Sequence, residues 1–287
     1  MLTQARDREE LIARLVGDPV RGFTSRNFCH SGEGGWKPVV LVDDARDPQV
    51  LIAHAGANFS IYGAIERYQA VMDDLLNGRV EQEGGWPDER MTHDWKQVDG
   101  RRYMFVNASP YVVWRAALDV GFEPDAEDLR GHVAFMWHVS GAPRFGHLVQ
   151  HPCRVGHGRE LLELLKQGIG YDREGHYITQ CLDHGPSFVC EVDGVPVCWS
   201  STHMNGTMGM IYTPPELRRH GYARSLAAFQ LDHMLARDGL ACCHIIDKNV
   251  ASMSMIRGFG AQRWEEPVVW RNVYWPGEAP PPGQPHH

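Results

Sequence analysis

The stretch that decides the fold is Ile211–Ala236, which reads IYTPPELRRHGYARSLAAFQLDHMLA. It opens with the apolar end of a predicted strand and continues through two prolines into the turn Arg218–Ala223, RRHGYA. A helical pattern then extends from about Tyr222 to Asp238. A turn of this kind exposes backbone N–H groups, and the start of the helix adds partial positive charge. The stretch therefore predicts a phosphate-binding turn between a strand and a helix, with two arginines adding charge-assisted contacts.

The turn stands within an alternation of strands and helices, which predicts an α/β protein. Residues 186–203 predict a β-hairpin, because two alternating apolar runs flank the turn pair Asp193-Gly194. Further strands are predicted at 38–44, 50–55, 102–108, 133–139, 206–213, 240–247 and 267–275. Further helices are predicted at 61–78, 110–120, 158–169 and 249–260.

Length and composition exclude several classes of protein. The 287 residues correspond to one large domain or two ordinary ones, and 43% of them are hydrophobic. The net charge of -8 disfavours nucleic acid as a partner, because phosphate binding needs a basic face. Residues 1–18 carry several acids and predict a surface helix rather than a secretory signal. No stretch is long and apolar enough to predict a membrane span.

The cysteines and the C-terminus give two further expectations. The seven cysteines include no Cys-x-x-Cys pair and several lie in apolar runs, which predicts reduced, buried thiols. We therefore expect a reducing compartment: cytoplasmic, with an organelle left open. The segment Ser140–Leu148 is rich in glycine and proline and predicts a linker, and the proline-rich residues 277–287 predict a tail.

The order of these features resembles the GNAT superfamily of acyl-CoA-dependent N-acyltransferases. Arg218-x-x-Gly221-x-Ala223 follows a strand, and Asn249-x-x-Ser252 opens a helix after the next buried strand. The resemblance implies that the turn holds the diphosphate of coenzyme A, while the preceding strand and the Asn-x-x-Ser helix flank its pantetheine arm. The residues that it assigns to acyl-CoA or acetyl-CoA are Met210, Ile211, Tyr212, Arg218, Arg219, His220, Gly221, Tyr222, Ala223, Asn249 and Ser252.

Within that superfamily, the chain is similar to the glycine N-acyltransferase family. The shared motifs are Gly-x-Pro-Val-x-Trp at 194–199, Gly-x-Met at 206–208 and Thr-x-Pro-Glu-x-Arg-x-x-Gly at 213–221. Weaker similarity extends to residues 28–44 and 93–98. The family implies an acyl-CoA-binding GNAT fold in the C-terminal half and a degenerate GNAT-like N-terminal half that completes the substrate cleft. The expected domains are residues 1–140 and 141–276, followed by the tail.

The resemblance also implies an activity and its partners. We expect an acyl group, acetyl or larger, to move from coenzyme A to the amine of a small substrate, with glycine or another amino acid favoured. No metal or other cofactor is expected, and the protein is expected to be a monomer or a homodimer. Two alternatives stay open: an acetyltransferase for another small amine, and an acyl-CoA-binding protein without turnover.

The reaction needs a neutral amine and a group that holds the oxyanion. A backbone N–H on the strand Met208–Tyr212 serves the second need. The glycine-acylating relatives carry a glutamate base where this chain has Thr207, and many GNAT enzymes carry a tyrosine where it has Ile256. Two histidines, His203 and His244, are therefore the predicted catalytic residues, since an ordinary imidazole pKa of about 6.5 suits a general base. The other possibility is that the amine enters already neutral.

A cluster of metal-ligand types was weighed against this interpretation. His147, His151, Cys153 and His157 lie within eleven residues, and the spacing of the first two suits zinc on a helix. A proline at position 152 and a glycine at position 156 oppose a helix there. The sequence therefore favours no metal site.

Overall fold

The structure is a computed structural model that describes residues 1–5, 10–11, 22–24, 27, 39–55, 58–81, 102–124, 133–168 and 175–279. The chain forms two compact units. Unit 2 comprises Phe135–Glu265, and unit 1 comprises the described residues up to Ala134 and from Glu266 onward. No helix in these described ranges is long and apolar enough to cross a bilayer.

The described strands and helices follow the predicted alternation. The strands are β1 (Leu2–Gln4), β2 (Val39–Val42), β3 (Val50–Ala55), β4 (Asn58–Gly63), β5 (Val80–Glu81), β6 (Tyr103–Pro110), β7 (Glu123–Pro124), β8 (Ala134–Ser140), β9 (Cys153–Val155), β10 (Ser187–Val192), β11 (Val195–Thr202), β12 (Met208–Tyr212), β13 (Leu240–Ile246) and β14 (Gln262–Tyr274). The helices are α1 (Tyr68–Leu76), α2 (Tyr111–Val120), α3 (Leu162–Gly168), α4 (His176–His184), α5 (Tyr222–Asp238) and α6 (Val250–Arg257).

Unit 1 contains a mixed sheet in the order β5-β1-β2-β3-β4-β6-β14, with β7 also paired to β14. The pairs β1–β5 and β4–β6 are parallel, and the other pairs are antiparallel. Both faces of β3 are buried: Val50 and Ile52 belong to the core that includes α1 and α2, whereas Leu51 and Ala53 belong to a smaller cluster. This alternation is that of a strand covered on both sides.

Unit 2 contains the sheet β8-β13-β12-β11-β10-β9. The pairs β9–β10, β10–β11 and β11–β12 are antiparallel, whereas the pair β12–β13 is parallel. Val189 and Trp199 pack with α3 and α4, and Phe188 and Cys198 pack with Leu226 of α5. The hairpin strands β10 and β11 are therefore covered by helices on both faces.

The two units share an order of elements. Unit 1 has the series β2-β3-β4-α1-β5-β6-α2, and unit 2 has the series β10-β11-β12-α5-β13-α6, which lacks a counterpart of the two-residue strand β5. In each series three antiparallel strands precede a helix, and a later strand, β6 or β13, pairs in parallel with the third strand. This repeat is the architecture expected of a GNAT-like N-terminal half beside a GNAT fold.

Two predictions of secondary structure are wrong. The helix predicted over residues 61–78 begins only at Tyr68, because Ile61 and Tyr62 continue β4 and pair with β3. The next residue, Gly63, has a φ of 149°, and a Cβ there would lie 2.2 Å from the Gln49 carbonyl oxygen. Within the helix predicted over residues 1–18, Leu2–Gln4 is a strand that pairs with β2, although residues 10–11 are helical. Short-range apolar spacing does not distinguish these cases.

Several expectations concern domain boundaries or residues outside the described ranges. Residues 28–38, the 93–98 motif and 280–287 of the predicted tail lie outside them. The predicted linker Ser140–Leu148 lies entirely within unit 2, where the carboxylate of Asp232 accepts the N–H groups of Arg144 and Phe145 at 2.7 and 2.9 Å. The domain boundaries at 140 and 276 stay predictions.

Candidate active site

The site begins where β12 separates from β13. These parallel strands pair at Met208 and Cys243, whereas β11 stays paired with β12 as far as Tyr212. Residues Gly209–Tyr212 of β12 therefore extend past the position at which β12 pairs with β13. Such an edge presents backbone N–H and C=O groups that an extended ligand can bind.

A β-bulge lies on this edge. Trp199 pairs with Tyr212 and Ser201 pairs with Gly209, so β12 has one more residue than β11 between these pairs. Met210, in the bulge, has a φ of 55°, which is rare for a residue other than glycine. A bulge disrupts the ladder and re-aims backbone groups, and strain of this kind gathers at functional sites. The bulge lies within the Met208–Tyr212 segment predicted to hold the oxyanion.

The turn that follows β12 presents backbone N–H groups at the start of α5. Arg219 and Gly221 have left-handed backbones, with φ of 70° and 83°. Gly221 is the N-cap residue of α5, where no side chain caps the helix and no acidic residue lies in the first turn. Arg218 donates from Nε to the Thr213 carbonyl at 3.0 Å. The turn therefore combines cationic side chains with a helix start suited to phosphate.

Residues 150–151, which are distant in sequence, contact this turn and the start of α5. His151 Nε2 lies 3.0 Å from the His220 carbonyl oxygen, and its ring contacts the ring of Tyr222 with centroids 4.6 Å apart. The Gln150 N–H donates to Ser225 Oγ at 3.0 Å. This contact was not predicted, because nothing local in the sequence indicates that residues 150–151 lie against the turn.

The Asn-x-x-Ser motif lies at the same end of the sheet as the turn. Asn249 accepts the N–H of Ser252 at 3.1 Å and caps the start of α6, directly after β13. Parallel strands have their carboxyl ends at one edge, so the loop after β12 and the loop after β13 lie on the same side. The structure therefore brings the predicted diphosphate turn and Asn249 to the edge where β12 and β13 separate.

His203 lies against β12 at the point of separation. A Cβ on Gly209 would lie 2.0 Å from His203 Nε2, so the imidazole occupies the space of a side chain at position 209. Nδ1 of His203 lies 2.7 Å from the hydroxyl of Tyr177 on α4. Neither helix α4 nor a role for Tyr177 was predicted from the sequence. The helical spacing of Ile178, Cys181 and Leu182, all buried, was the signal available for α4.

His244 follows Cys243 on β13 and is the second predicted catalytic residue. Burial lowers the pKa of His203 to about 4. Burial, and the nearby His203, lower the pKa of His244 to about 3. The expected pKa near 6.5 is therefore not found, and both imidazoles are neutral at pH 7. Their catalytic roles stay predictions.

These lowered pKa values predict acid sensitivity of the fold. In the unfolded chain each imidazole takes a proton near pH 6.5, whereas in the folded protein it does so only near pH 4 or 3. Stability is therefore full above pH 6.5 and falls as the pH decreases toward 4, by about 1.4 kcal/mol per pH unit for each histidine. Urea unfolding of the wild type and His244→Gln between pH 7 and 5 measures this slope. Equal slopes would contradict the prediction.

Thr207 and Ile256 occupy the positions where relatives carry catalytic side chains. Thr207 is fully buried, and its hydroxyl donates to Asn205 Oδ1 at 2.7 Å. Its carbonyl accepts the N–H of His203 at 2.8 Å, so Thr207 helps to fix the loop that carries His203. Ile256 is buried on α6. Both residues have structural roles here.

The residues weighed as metal ligands make other contacts. Nδ1 of His147 lies 3.1 Å from the Arg144 carbonyl oxygen, His151 contacts the turn Arg218–Ala223, and Cys153 is opposite Cys190 in the β9–β10 ladder. Within the described ranges, no group of three or more histidine, cysteine or acidic side chains is placed to hold a metal ion.

Comparison with known proteins identifies one family model that matches part of the chain. Residues 194–270 match the family model described as FR47-like protein, a span that contains β12, the turn, α5, β13 and α6. No curated protein matches the sequence.

Solved structures resemble the whole chain. A Drosophila protein is 12% identical with a TM-score of 0.60, covering 97% of this chain and 99% of its own. An acetyltransferase of the GNAT family from Colwellia psychrerythraea is 12% identical with a TM-score of 0.50, covering 96% and 98%. A GCN5-related N-acetyltransferase from Kribbella flavida is 11% identical with a TM-score of 0.50, covering 91% and 96%. The predicted α/β fold is thus confirmed: the chain has the GNAT fold, and its residues 194–270 match the FR47-like family.

Proposed function

We propose that the protein is an acyl-CoA-dependent N-acyltransferase that acts on a small amine, with glycine or another amino acid favoured. One observation carries the proposal: the basic turn with left-handed Arg219 and Gly221 lies at the edge where β12 separates from β13. A coenzyme A thioester has an anionic diphosphate at one end and an extended arm beyond it. The turn suits the anionic diphosphate, and the edge of β12 suits the extended arm.

The assignment of residues follows from this placement. Arg218, Arg219 and the N–H groups from His220 to Ala223 would bind the diphosphate. Met210, Ile211 and Tyr212 would line the arm, and Asn249 and Ser252 would flank it from α6. The bulge at Met210 would direct a backbone N–H at the thioester carbonyl, where it would stabilise the oxyanion.

The amine would enter in its neutral form. His203 and His244 have pKa values of about 4 and 3, so neither is tuned to take a proton from an ammonium group at neutral pH. A neutral imidazole remains able to accept the amine proton after the C–N bond forms, when a nearby oxyanion favours positive charge. His203 lies nearer to the bulge, since it contacts Gly209.

The similarity to glycine N-acyltransferases supports the proposed choice of glycine or another amino acid. Within the GNAT fold, another small amine is the alternative acceptor. We further propose a cytoplasmic or organellar protein, monomeric or homodimeric, with domains at 1–140 and 141–276. The described cysteines other than Cys153 are buried thiols, which supports a reducing compartment.

The test is release of free coenzyme A from acetyl-, butyryl- and benzoyl-CoA over a panel of amino acids, polyamines and aminoglycosides. Turnover of one class identifies the acceptor, and product mass confirms the new amide bond. Binding of acyl-CoA by calorimetry is measured in parallel. Failure of every thioester to bind would overturn the proposal.

A binding protein without turnover is the second candidate. Two observations favour it: Thr207 replaces the family glutamate, and both histidines have pKa values far below neutral. The same experiment separates the two functions. Tight acyl-CoA binding without release of coenzyme A over the whole panel would support the binding protein.

A further inference from the structure

Three cysteines lie in register across neighbouring strands of unit 2, and the proposed reaction uses none of them. Cys153 on β9 pairs with Cys190 on β10, and Cys190 pairs with Cys198 on β11. Cys190 and Cys198 are buried, whereas Cys153 keeps accessible surface. Cys153 and Cys190 are directly opposite each other in the antiparallel ladder, so their side chains lie on the same face of the sheet. The row of thiols therefore has one member that a small reagent can reach.

The ladder hydrogen bonds show which two cysteines are placed for a disulfide. Between β9 and β10, the Glu191 N–H donates to the Pro152 carbonyl at 2.9 Å, and residues 156 and 187 form a similar bond at 2.8 Å. Bonded and non-bonded pairs alternate in an antiparallel ladder, so Cys153 and Cys190 form a non-hydrogen-bonded pair. Such pairs have Cα atoms about 4.5 Å apart, within the range of about 4.4–6.8 Å that disulfides need.

The pair Cys190–Cys198 has the other geometry. The Thr202 N–H donates to the Pro186 carbonyl at 3.1 Å, so these two residues are at a hydrogen-bonded position of the ladder. Hydrogen-bonded and non-hydrogen-bonded pairs alternate along the ladder, so Cys190 and Cys198 form a hydrogen-bonded pair. The Cα atoms of such a pair are about 5.5 Å apart, and its side chains are farther apart than those of a non-hydrogen-bonded pair. Cys198 also accepts a hydrogen bond from Thr213 Oγ1 at 3.2 Å. Cys153 is therefore the better-placed partner for Cys190.

We propose that Cys153 and Cys190 form a covalent modification site, a dithiol that small disulfides such as oxidised glutathione convert to an intramolecular disulfide. The neighbouring Cys190 and burial raise the pKa of the Cys153 thiol, so a base from solvent must first take its proton. The sulfur of Cys153 then attacks one sulfur of oxidised glutathione, whose S–S bond breaks and releases one glutathione thiolate. The Cys190 thiolate then attacks Sγ of Cys153 and releases the second. The two cysteine protons end on the two glutathiones, which gain the two electrons that the protein loses.

The dithiol is coupled to the turn that follows β12. Cys153 comes two residues after His151, which is hydrogen-bonded to the His220 carbonyl. Cys190 packs in the same cluster as Leu226 and Tyr222 of α5. A covalent bond holds two sulfur atoms closer than a contact between thiols does, so oxidation draws β9 toward β10. We therefore expect the oxidised protein to bind coenzyme A at least about fivefold more weakly, an effect that rests on the proposed function.

The experiment equilibrates the full chain in mixtures of reduced and oxidised glutathione, quenches it with acid and maps the peptides without reduction. We expect one intramolecular link, between Cys153 and Cys190, that reductant reverses. Cys190→Ser should accumulate a stable glutathione adduct on Cys153, and Cys153→Ser should form neither product. Cys198→Ala is the matched control and should form the link as the wild type does.

Two results would overturn the proposal: no link at any glutathione ratio, or a link between Cys190 and Cys198. Calorimetry with coenzyme A on the oxidised and reduced protein then tests the coupling. Equal affinities with the link present would refute the coupling alone. If the reduced protein binds no coenzyme A, the proposed function fails while the modification site stands.

Discussion

Replacing Gly221 by Asp is expected to weaken acyl-CoA binding at least about a hundredfold, which corresponds to about 2.7 kcal/mol. Gly221 has a φ of 83°, a backbone that residues with a Cβ adopt only at a cost of about 1–2 kcal/mol. The new carboxylate would also stand at the helix start where the diphosphate is proposed to bind, so like charges would repel. Calorimetry with acetyl-CoA measures the loss.

The other end of the same helix offers a matched control. Gly239 follows α5 with a φ of 67°, and a Cβ there would meet nothing within 4 Å. Gly239→Asp therefore adds the same charge and a similar backbone strain away from the turn, and it should keep acyl-CoA affinity within about threefold. A folded Gly221→Asp protein with wild-type affinity would contradict the assignment of the turn.

Replacing Gly209 by Ala is expected to lower turnover at least about a hundredfold while acyl-CoA still binds. The added Cβ would lie 2.0 Å from Nε2 and 2.3 Å from Cδ2 of His203, so the imidazole must move. That movement breaks the 2.7 Å contact between Nδ1 and the Tyr177 hydroxyl. The diphosphate turn is not touched by the change. Steady-state kinetics and calorimetry on the same sample separate the two effects.

A double-mutant cycle shows whether the loss arises through His203. If it does, His203→Ala and the double variant with Gly209→Ala should have equal turnover. Gly146→Ala is the control for an added methyl group, since its Cβ would meet its nearest atom at 3.8 Å. Wild-type turnover in Gly209→Ala would show that the position of His203 does not matter for the reaction.

The sequence predicted the second half of the fold well because its elements are bounded by strong local signals. The hairpin turn at Asp193-Gly194 has φ of 52° and 75°, as a tight turn between antiparallel strands requires. Helix α5 has the predicted bounds because Gly221 and Gly239 both adopt left-handed backbones at its ends. The position of the turn Arg218–Ala223 between a strand and a helix was predictable for the same reason, and its binding of a diphosphate stays a prediction.

The rest of the site depends on contacts between distant segments. The bulge at Met210 places a methionine in a left-handed backbone, which no local preference indicates. The support of the turn by His151 and the contact of Tyr177 with His203 join residues 69 and 26 positions apart. The histidine pKa values follow from burial, which a sequence pattern does not measure. These features arise only when the chain is packed.

The last strand has a consequence for how the chain matures during synthesis. Residues 268–274 of β14 pair with β6, and Val269, Val273 and Trp275 belong to the core of unit 1. Translation runs from the N-terminus, so the ribosome makes every residue of unit 2 before it makes this segment. The core of unit 1 therefore cannot be completed until this segment has been synthesised. Most of unit 1 is made before unit 2, yet unit 1 is completed after it.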